Sequence, residues 1–277
     1  MRITVIGLGI IGSVWAKHWI QDGHAVKTWN RTPKPDAPGF TADLIAAVQD
    51  AELVAIVVAD ASAVDAILTT LLPALPKGAV VAQHSTIGVD QTQGFAARVR
   101  AAGGHYLDMP FTGSKPAAEA RQVVYFVGDD DGSFVAVEAT YAGMSRARLP
   151  MGGVGKAAAI KLAMNLLIAG LHQSMAESFT LATRAGIDPA TWFSTLDLNV
   201  AKSPLADLKK PKYLSGDWSP QFSVKHMHKD LRLALGLAQS LGVNLANTAT
   251  VEAAYAEAER RGWGDRDFST LLDVVKG

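Results

Sequence analysis

The chain has 277 residues, of which 49% are hydrophobic, so it is long enough to bury a large core in one or two domains. Its 26 lysines and arginines balance 26 aspartates and glutamates, so no bulk charge favours nucleic acid or an anionic membrane as a partner. It contains no cysteine, which excludes disulfides, thiolate metal sites and a cysteine nucleophile.

Short β-branched apolar runs alternate with helical stretches in the first half of the chain, which is typical of a largely parallel sheet covered by helices. The N-terminal run is too short for a signal peptide or a membrane span, so we expect a cytoplasmic protein. The predicted strands are Ile3–Ile6, Ala25–Trp29, Leu53–Val58, Ala79–Ala82, Tyr106–Asp108 and Val123–Val127. The predicted helices of this half are Ile11–Gln21, Ala63–Leu72 and Asp90–Ala102.

From about Gly152 onward the strand pattern disappears, and the apolar residues follow the helical period. The longest predicted helix runs from Lys156 to Arg184, because this stretch has no proline and consists almost wholly of good helix formers. We therefore predict an α/β domain with a Rossmann-type doubly wound sheet over residues 1–151. An all-helical domain over residues 152–277 would begin with this long interdomain helix. The other predicted helices are Pro189–Leu198, Pro204–Lys210, Phe222–Leu241, Ala246–Arg261 and Ser269–Val275.

Directly after the first strand, six residues match the Gly-x-Gly-x-x-Gly pattern of dinucleotide-binding loops. They are Gly7, Leu8, Gly9, Ile10, Ile11 and Gly12. The pattern opens a helix, and a second strand ends about twenty residues downstream, as a dinucleotide-binding unit requires. The three glycines permit a tight turn, approach of the backbone to the pyrophosphate and close packing of helix on strand. The six residues are therefore predicted to bind a dinucleotide cofactor.

The second strand is followed by Asn30, Arg31 and Thr32, where an NAD-dependent enzyme normally carries an acidic residue for the ribose hydroxyl. An acid would repel a 2′-phosphate, whereas asparagine and threonine hydrogen-bond to it and a guanidinium pairs with it. These residues indicate NADP(H) rather than NAD(H). The alternative interpretation is that Arg31 is an ordinary solvated loop residue.

Lys161 and Asn165 are four residues apart in an apolar part of the longest predicted helix, so their side chains lie on one face. An ammonium is costly to bury unless it is paired or reached by water, and burial makes it easier for a lysine to give up its proton. With a nicotinamide cofactor, Lys161 would donate a proton to a carbonyl oxygen, and Asn165 would orient the lysine or the substrate oxygen. A surface lysine beside a solvated amide is the alternative.

The pattern Gly152-x-x-Gly155-x-Ala157-x-x-x-Lys161-x-x-x-Asn165 resembles the catalytic motif of the β-hydroxyacid dehydrogenases. That family includes 3-hydroxyisobutyrate dehydrogenases and the tartronate semialdehyde and glyoxylate/succinic semialdehyde reductases. Ala157 stands where the family usually has glycine.

Two further segments are similar to parts of this family. Thr86 lies in a stretch that resembles the family's Ser-Thr loop near the nicotinamide, which implies contact with the cofactor. Asp108–Lys115 resembles the substrate-binding Asp-x-Pro-Val-Ser-Gly segment, which implies that Thr112, Gly113 and Ser114 contact a substrate carboxylate. The threonine replaces the usual serine, and its methyl group would narrow the pocket.

The segment Phe222–Leu235 resembles the glyoxylate/succinic semialdehyde reductase branch of the family. The resemblance implies that Phe222 covers the nicotinamide edge and excludes water, and that Lys229 offers positive charge to cofactor or substrate. Asp230 would belong to the substrate site and would steady Lys161 or Lys229 by ion pairing. An adjacent pair of surface charges is the alternative for the lysine and the aspartate.

The resemblance implies an NADP(H)-dependent oxidoreductase that acts on a short aldehyde or hydroxyacid bearing a carboxylate. It also implies a helical domain like that of 6-phosphogluconate dehydrogenase and a homodimer or homotetramer. His226 and His228 point apart on a helix, so no metal site is predicted. An imine reductase is one alternative, although that branch usually lacks the lysine, and a non-catalytic NADP-binding protein is another.

Overall fold

The computed structural model describes all 277 residues, which divide into two units, Met1–Lys161 and Leu162–Gly277. The division lies inside one continuous helix, whereas the sequence prediction put the domain boundary after residue 151. The placing of that boundary stays a prediction. None of the helices has the length and apolar character needed to cross a lipid bilayer.

An eight-stranded sheet forms the centre of the first unit, and its strand order is β2-β1-β3-β4-β5-β7-β6, with β8 paired to β7. The strands are β1 (Arg2–Ile6), β2 (Ala25–Trp29), β3 (Leu53–Ile56), β4 (Val80–Gln83), β5 (His105–Asp108), β6 (Phe111–Thr112), β7 (Val123–Gly128) and β8 (Ser145–Gly152). Strands β1 to β5 run parallel, and β7 joins β5 antiparallel through Asp108 and Gly128. The chain order reverses between β1 and β3, and ligands bind at such points in open α/β sheets.

Helices cover both faces of this sheet. They are α1 (Ile10–Gln21), α2 (Leu44–Val48), α3 (Ala61–Leu71), α4 (Val89–Ala101), α5 (Lys115–Glu119) and α6 (Glu138–Ala142). Alternate side chains of β3 enter different cores: Leu53 and Ala55 share one with Trp15, while Val54 and Ile56 belong to the other. Successive residues of a strand face opposite sides, so near-continuous apolar runs are what a sheet buried on both faces requires. The predicted doubly wound α/β fold is confirmed.

The second unit is built of helices. They are the remainder of α7 (Lys156–Arg184), α8 (Pro189–Asp197), α9 (Pro204–Ser215), α10 (Val224–Ser240), α11 (Ala246–Arg260) and α12 (Leu271–Lys276), with a 3₁₀ turn at Phe268–Thr270. Two apolar clusters hold them together: Leu231 and Tyr255 lie in one, and Phe179 and Phe193 in the other. The predicted bounds of α7 are confirmed at both ends.

The prediction that the helix starting at Pro204 stops at Lys210 is wrong, because α9 continues through Pro211 to Ser215. Proline normally ends a helix, since it lacks an N–H and restricts the preceding residue. Here the turn beyond it is held by tertiary contacts. The buried Tyr213 ring packs against aromatic rings of α7 and α8, and Lys212 Nζ donates to the Ser219 carbonyl at 2.5 Å.

Strands β6 and β8 were absent from the prediction. Strand β6 has only two residues, and β8, with the sequence Ser-Arg-Ala-Arg-Leu-Pro-Met-Gly, has neither an alternating nor a continuous apolar pattern. Both strands exist because β7 supplies a partner on each side. Pairing of this kind depends on a distant segment and leaves little trace in the local sequence.

Candidate active site

The glycine-rich loop directly follows β1 and leads into α1. Gly7 has φ +100°, and a Cβ there would lie 2.2 Å from the Val57 carbonyl oxygen. A Cβ on Gly12 would lie 1.9 Å from the Gly7 oxygen, whereas a Cβ on Gly9 would meet nothing within 4 Å. The first and third glycines therefore serve close packing, and the second leaves open backbone on the surface.

The first turn of α1 is suited to an anion. Its N-cap, Gly9, offers no side chain, and its first turn contains no acidic residue, so no capping side chain or carboxylate competes for the leading N–H groups. Leu8 is buried, Ile10 is 48% exposed and Ile11 is half-buried. The loop thus fits a dinucleotide pyrophosphate through its backbone, with the leucine as packing.

Asn30 ties the glycine loop to the turn after β2. Its Oδ1 accepts the Leu8 N–H at 2.8 Å, and its Nδ2 donates to the Thr32 carbonyl at 2.8 Å. Arg31 and Thr32 are exposed beside it. Lys34, which the sequence interpretation missed, donates to the Leu8 carbonyl at 2.6 Å and brings a second positive charge to the loop. Both ends of the Asn30 amide are therefore bonded to the protein's own backbone.

Thr86 is half-buried in the connection between β4 and α4. The preceding residues fix this connection: Gln83 Nε2 donates to the Ser85 carbonyl at 3.1 Å, and Ser85 Oγ accepts the Val58 N–H at 3.0 Å. The second bond joins the segment after β3 to the segment after β4. Thr86 therefore stands on a rigid support at the carboxyl edge of the parallel strands.

The predicted substrate segment forms the end of β6 and the start of α5. Thr112 is half-buried in β6, and Gly113 is exposed with φ +116°, a conformation that side-chain-bearing residues rarely adopt. Ser114 precedes α5 without capping it, so its hydroxyl is not used by the helix. The segment offers two hydroxyl groups and a turn of backbone N–H groups, which are donors suited to a carboxylate.

Asp108 ends β5 and is almost fully buried. Its Oδ2 accepts the backbone N–H groups of Gly155 and Ala158, both at 2.9 Å, while its buried Oδ1 makes no hydrogen bond within the protein. Burial raises the pKa of Asp108 to about 6, the two N–H bonds oppose this rise, and the charge of Asp130 adds to it. The sequence interpretation gave this residue no role of its own.

Lys161 and Asn165 occupy successive turns of α7, so the predicted common face is present. Lys161 is half-buried, and Asn165 is 3% exposed. Asn165 Nδ2 donates to Asp230 Oδ2 at 2.5 Å, and Lys229 Nζ lies 2.8 Å from Asp230 Oδ1. The buried carboxylate of Asp230 thus links Asn165 through one oxygen and Lys229 through the other. The ion pair between Lys229 and Asp230, one of the two considered for this aspartate, is present.

Phe222 precedes α10, and its ring stacks on His226 with centroids 5.8 Å apart. The backbone of this segment is anchored by Asp267, whose Oδ2 accepts the Gln221 N–H at 2.9 Å and the Phe222 N–H at 3.4 Å. Lys209 Nζ lies 2.7 Å from Asp267 Oδ1, and both side chains are buried. This buried ion pair was not foreseen from the sequence, because its members are 58 residues apart.

Two histidines, His84 and His172, are fully buried. His84 bonds the Met109 carbonyl at 2.7 Å and the Tyr141 hydroxyl at 2.9 Å, and burial lowers its pKa to about 4. Burial likewise lowers the pKa of His172 to about 3. Both imidazoles are neutral near pH 7, as expected for residues that pack rather than titrate.

Comparison with known proteins identifies the family. A family model described as the NAD-binding domain of 6-phosphogluconate dehydrogenase matches residues 2–153, which is more than half of the chain. A second model, described as NAD-binding of NADP-dependent 3-hydroxyisobutyrate dehydrogenase, matches residues 155–275. The chain belongs to the β-hydroxyacid dehydrogenase family. It is an NAD(P)-binding oxidoreductase that acts on CH–OH groups.

Among curated relatives, glyoxylate/succinic semialdehyde reductase 2, chloroplastic, of Arabidopsis thaliana is 28% identical over 285 residues, covering 100% of this chain and 80% of the relative. The 2-hydroxy-3-oxopropionate reductase of Escherichia coli (strain K12) is 27% identical over 284 residues, covering 100% and 97%. The chain thus matches these reductases along its whole length.

Solved structures share the fold. The 3-hydroxyisobutyrate dehydrogenase of Mycobacterium tuberculosis superposes with a TM-score of 0.89 at 22% identity, covering 100% of this chain and 99% of that one. An imine reductase from Pseudomonas sp. gives a TM-score of 0.66 at 23% identity, covering 99% and 98%. The fold of this chain is therefore nearer to the first of these two structures.

Proposed function

We propose that the protein transfers hydride between NADP(H) and a short aldehyde or hydroxyacid bearing a carboxylate, such as glyoxylate or succinic semialdehyde, with Lys161 as the general acid or base. The observation that carries this proposal is the pair of polar residues on one face of α7. Asn165 is buried and bonded to Asp230 at 2.5 Å, which fixes the face on which Lys161 stands one turn earlier. A buried amide held in this way is a costly feature in a packing helix and suits a site.

The preference for NADP(H) rests on the turn after β2. Arg31 and Thr32 are exposed there, no acidic residue occupies the position, and Lys34 adds a positive charge beside the glycine loop. A guanidinium pairs with a 2′-phosphate, which an acid would repel. The NADP-dependent description of the second matching family model agrees with this choice.

The carboxylate of the substrate is assigned to the segment Thr112–Ser114. Its hydroxyl groups and backbone N–H groups would donate to an anion, and the exposed Gly113 has no side chain to block access to that backbone. When bound, the nicotinamide supplies or accepts the hydride. Lys161 Nζ then gives its proton to the carbonyl oxygen in reduction and takes it back in oxidation. Asn165, through its bond to Asp230, holds this face of α7 in place.

The first experiment follows NADPH oxidation with glyoxylate, succinic semialdehyde, methylmalonate semialdehyde, tartronate semialdehyde and a cyclic imine. We expect a carboxylate-bearing aldehyde to be the best substrate and the rate with NADH to be lower. A cyclic imine as the best substrate would favour the imine reductase alternative. No NADPH consumption with any of them would contradict the proposed reaction.

The second experiment compares Lys161→Ala with Lys156→Ala. A positioned general acid contributes ~10²–10⁴ in rate, so kcat should fall by about that factor in the first variant while the Kd for NADPH stays near wild type. Lys156 is an exposed lysine in the first turn of the same helix, so its removal should leave kcat unchanged. Equal kcat values in the two variants would refute the role of Lys161.

Arg31→Ala tests the cofactor assignment. We expect the KM for NADPH to rise by about tenfold to a hundredfold, since a charged hydrogen-bond pair is worth about 1.5–3 kcal/mol, while the KM for NADH changes little. An equal rise for both cofactors would show that Arg31 does not recognise the 2′-phosphate.

A further inference from the structure

Helix α7 begins without a capping side chain of its own. The residue before it, Gly155, has φ +97° and no side chain, and a Cβ there would lie 3.0 Å from Gln93 Nε2. The leading N–H groups of a helix have no partner within the helix, and a side-chain oxygen at the N-cap normally accepts one of them. Gly155, which stands at this position before α7, has no side-chain oxygen to accept such a bond.

Asp108 supplies the missing acceptor from another element. Its Oδ2 accepts the N–H of Gly155 and the N–H of Ala158, the third residue of α7, at 2.9 Å each, so one buried oxygen holds both. The space for this carboxylate depends on Gly128, the residue opposite in β7. A Cβ on Gly128 would lie 3.1 Å from Asp108 Cβ and 3.1 Å from the Gly153 carbonyl oxygen.

The geometry points to Asp108 as a positioning residue for Lys161: by capping α7 from the end of β5, it fixes the first turn of that helix and so the place of the lysine one turn later. The inference rests on the proposed function of Lys161. Ala158 and Lys161 are three residues apart and share a helix face. The parallel strands of the sheet anchor β5, and the bond therefore ties the lysine to the same sheet that carries the glycine loop.

A structural observation favours positioning over simple stabilisation. Asp108 is buried with one oxygen that makes no hydrogen bond within the protein, and burial of its charge is unfavourable to folding. An exposed carboxylate would cap a helix without that cost. Asp188 does so at α8, where its side chain accepts the N–H groups of Ala190 and Thr191 at the surface.

The test uses Asp108→Ser and Asp108→Asn in the full chain, each alone and combined with Lys161→Ala. The serine hydroxyl is too short to reach both N–H groups, while water can fill the space; asparagine keeps an oxygen acceptor. We expect kcat, expressed per folded NADPH-binding site, to be about a hundredfold lower in the serine variant, because misplacement of a catalytic group by about 1 Å has an effect of that size. The Kd for NADPH should stay near wild type. Asparagine should restore kcat to within about tenfold of wild type.

In the Lys161→Ala background the serine substitution should have no further effect on kcat, because its effect passes through the lysine. An equal, additive loss in that background would overturn the inference and leave the proposed function intact. Wild-type turnover in Lys161→Ala alone would instead refute the proposed function. Asp188→Ala is the matched control: it removes a cap from α8, and it should lower the melting temperature without changing kcat. A kcat for Asp108→Ser equal to that of this control would also overturn the inference.

Discussion

The buried ion pair between Lys209 and Asp267 gives a sharp test of the packing of the second unit. The two side chains are 1% and 0% exposed, and their charged atoms are 2.7 Å apart. Removing one member of a buried pair typically costs 3–5 kcal/mol, because the other charge is left without compensation. The structure shows that the two halves of this pair are not equivalent.

The aspartate has other donors and the lysine has few. Asp267 accepts the backbone N–H of Gln221 at 2.9 Å and the hydroxyl of Ser269 at 2.5 Å, so Lys209→Met leaves a carboxylate that remains hydrogen-bonded. Lys209 otherwise has only the Gln221 side chain at 3.3 Å and the Phe268 ring at 4.3 Å. We therefore expect the free energy of unfolding to fall by about 3 kcal/mol in Lys209→Met and by about 5 kcal/mol in Asp267→Asn.

The assay is urea unfolding followed by tryptophan fluorescence and far-UV circular dichroism. With a slope of about 2 kcal/mol per molar urea, the midpoints should shift by about 1.5 M and 2.5 M. Lys225→Met is the control, because its partner Asp265 is 88% exposed and a surface pair contributes at most about 1 kcal/mol. The reasoning is refuted if Lys209→Met shifts the midpoint no more than the control does, or more than Asp267→Asn does.

Two further predictions concern the first unit. The pKa of Asp108 is raised from 3.8 to about 6, so the folded state holds this proton more tightly than the unfolded state does. This difference contributes about 3 kcal/mol to the free energy of unfolding below pH 4, and the contribution is lost as the pH rises through 6. Urea unfolding between pH 4 and 8 should show a flatter profile for Asp108→Asn, and an unchanged slope would contradict the assignment. Gly12→Ala places a methyl group 1.9 Å from the Gly7 oxygen and should lower the melting temperature, whereas Gly9→Ala meets no atom within 4 Å. The second variant should therefore melt like wild type yet bind NADPH more weakly in a fluorescence titration, and unweakened binding would place the pyrophosphate elsewhere.

Local patterns were sufficient for much of this fold. The absence of proline and the run of good helix formers gave the limits of α7, and the apolar runs gave the first five strands to within two residues at either end. The glycine spacing predicted the dinucleotide loop because two of its positions require close packing of the backbone. The structure agrees, since Gly7 and Gly12 have no room for a side chain.

Interactions between distant segments were beyond the reach of those patterns. The cap on α7 comes from Asp108, which lies 47 residues before Gly155, and nothing near either residue marks the pair. The helix beyond Pro211 likewise exists because Tyr213 finds aromatic partners on α7 and α8. In each case the local preference is overruled by burial and hydrogen bonding that only the folded chain provides.

The bridging amide of Asn30 limits how the proposed preference for NADP(H) could be changed toward NAD(H). Replacing this residue by aspartate is the shortest way to place an acid near the ribose, yet a carboxylate cannot donate to the Thr32 carbonyl and would repel it. The same change would leave the Leu8 N–H bonded to a side chain that no longer has a fixed orientation. A change of cofactor preference is therefore better attempted at Arg31 and Thr32. Asn30 should be retained, because its amide hydrogen-bonds to the glycine-rich loop and to the turn after β2.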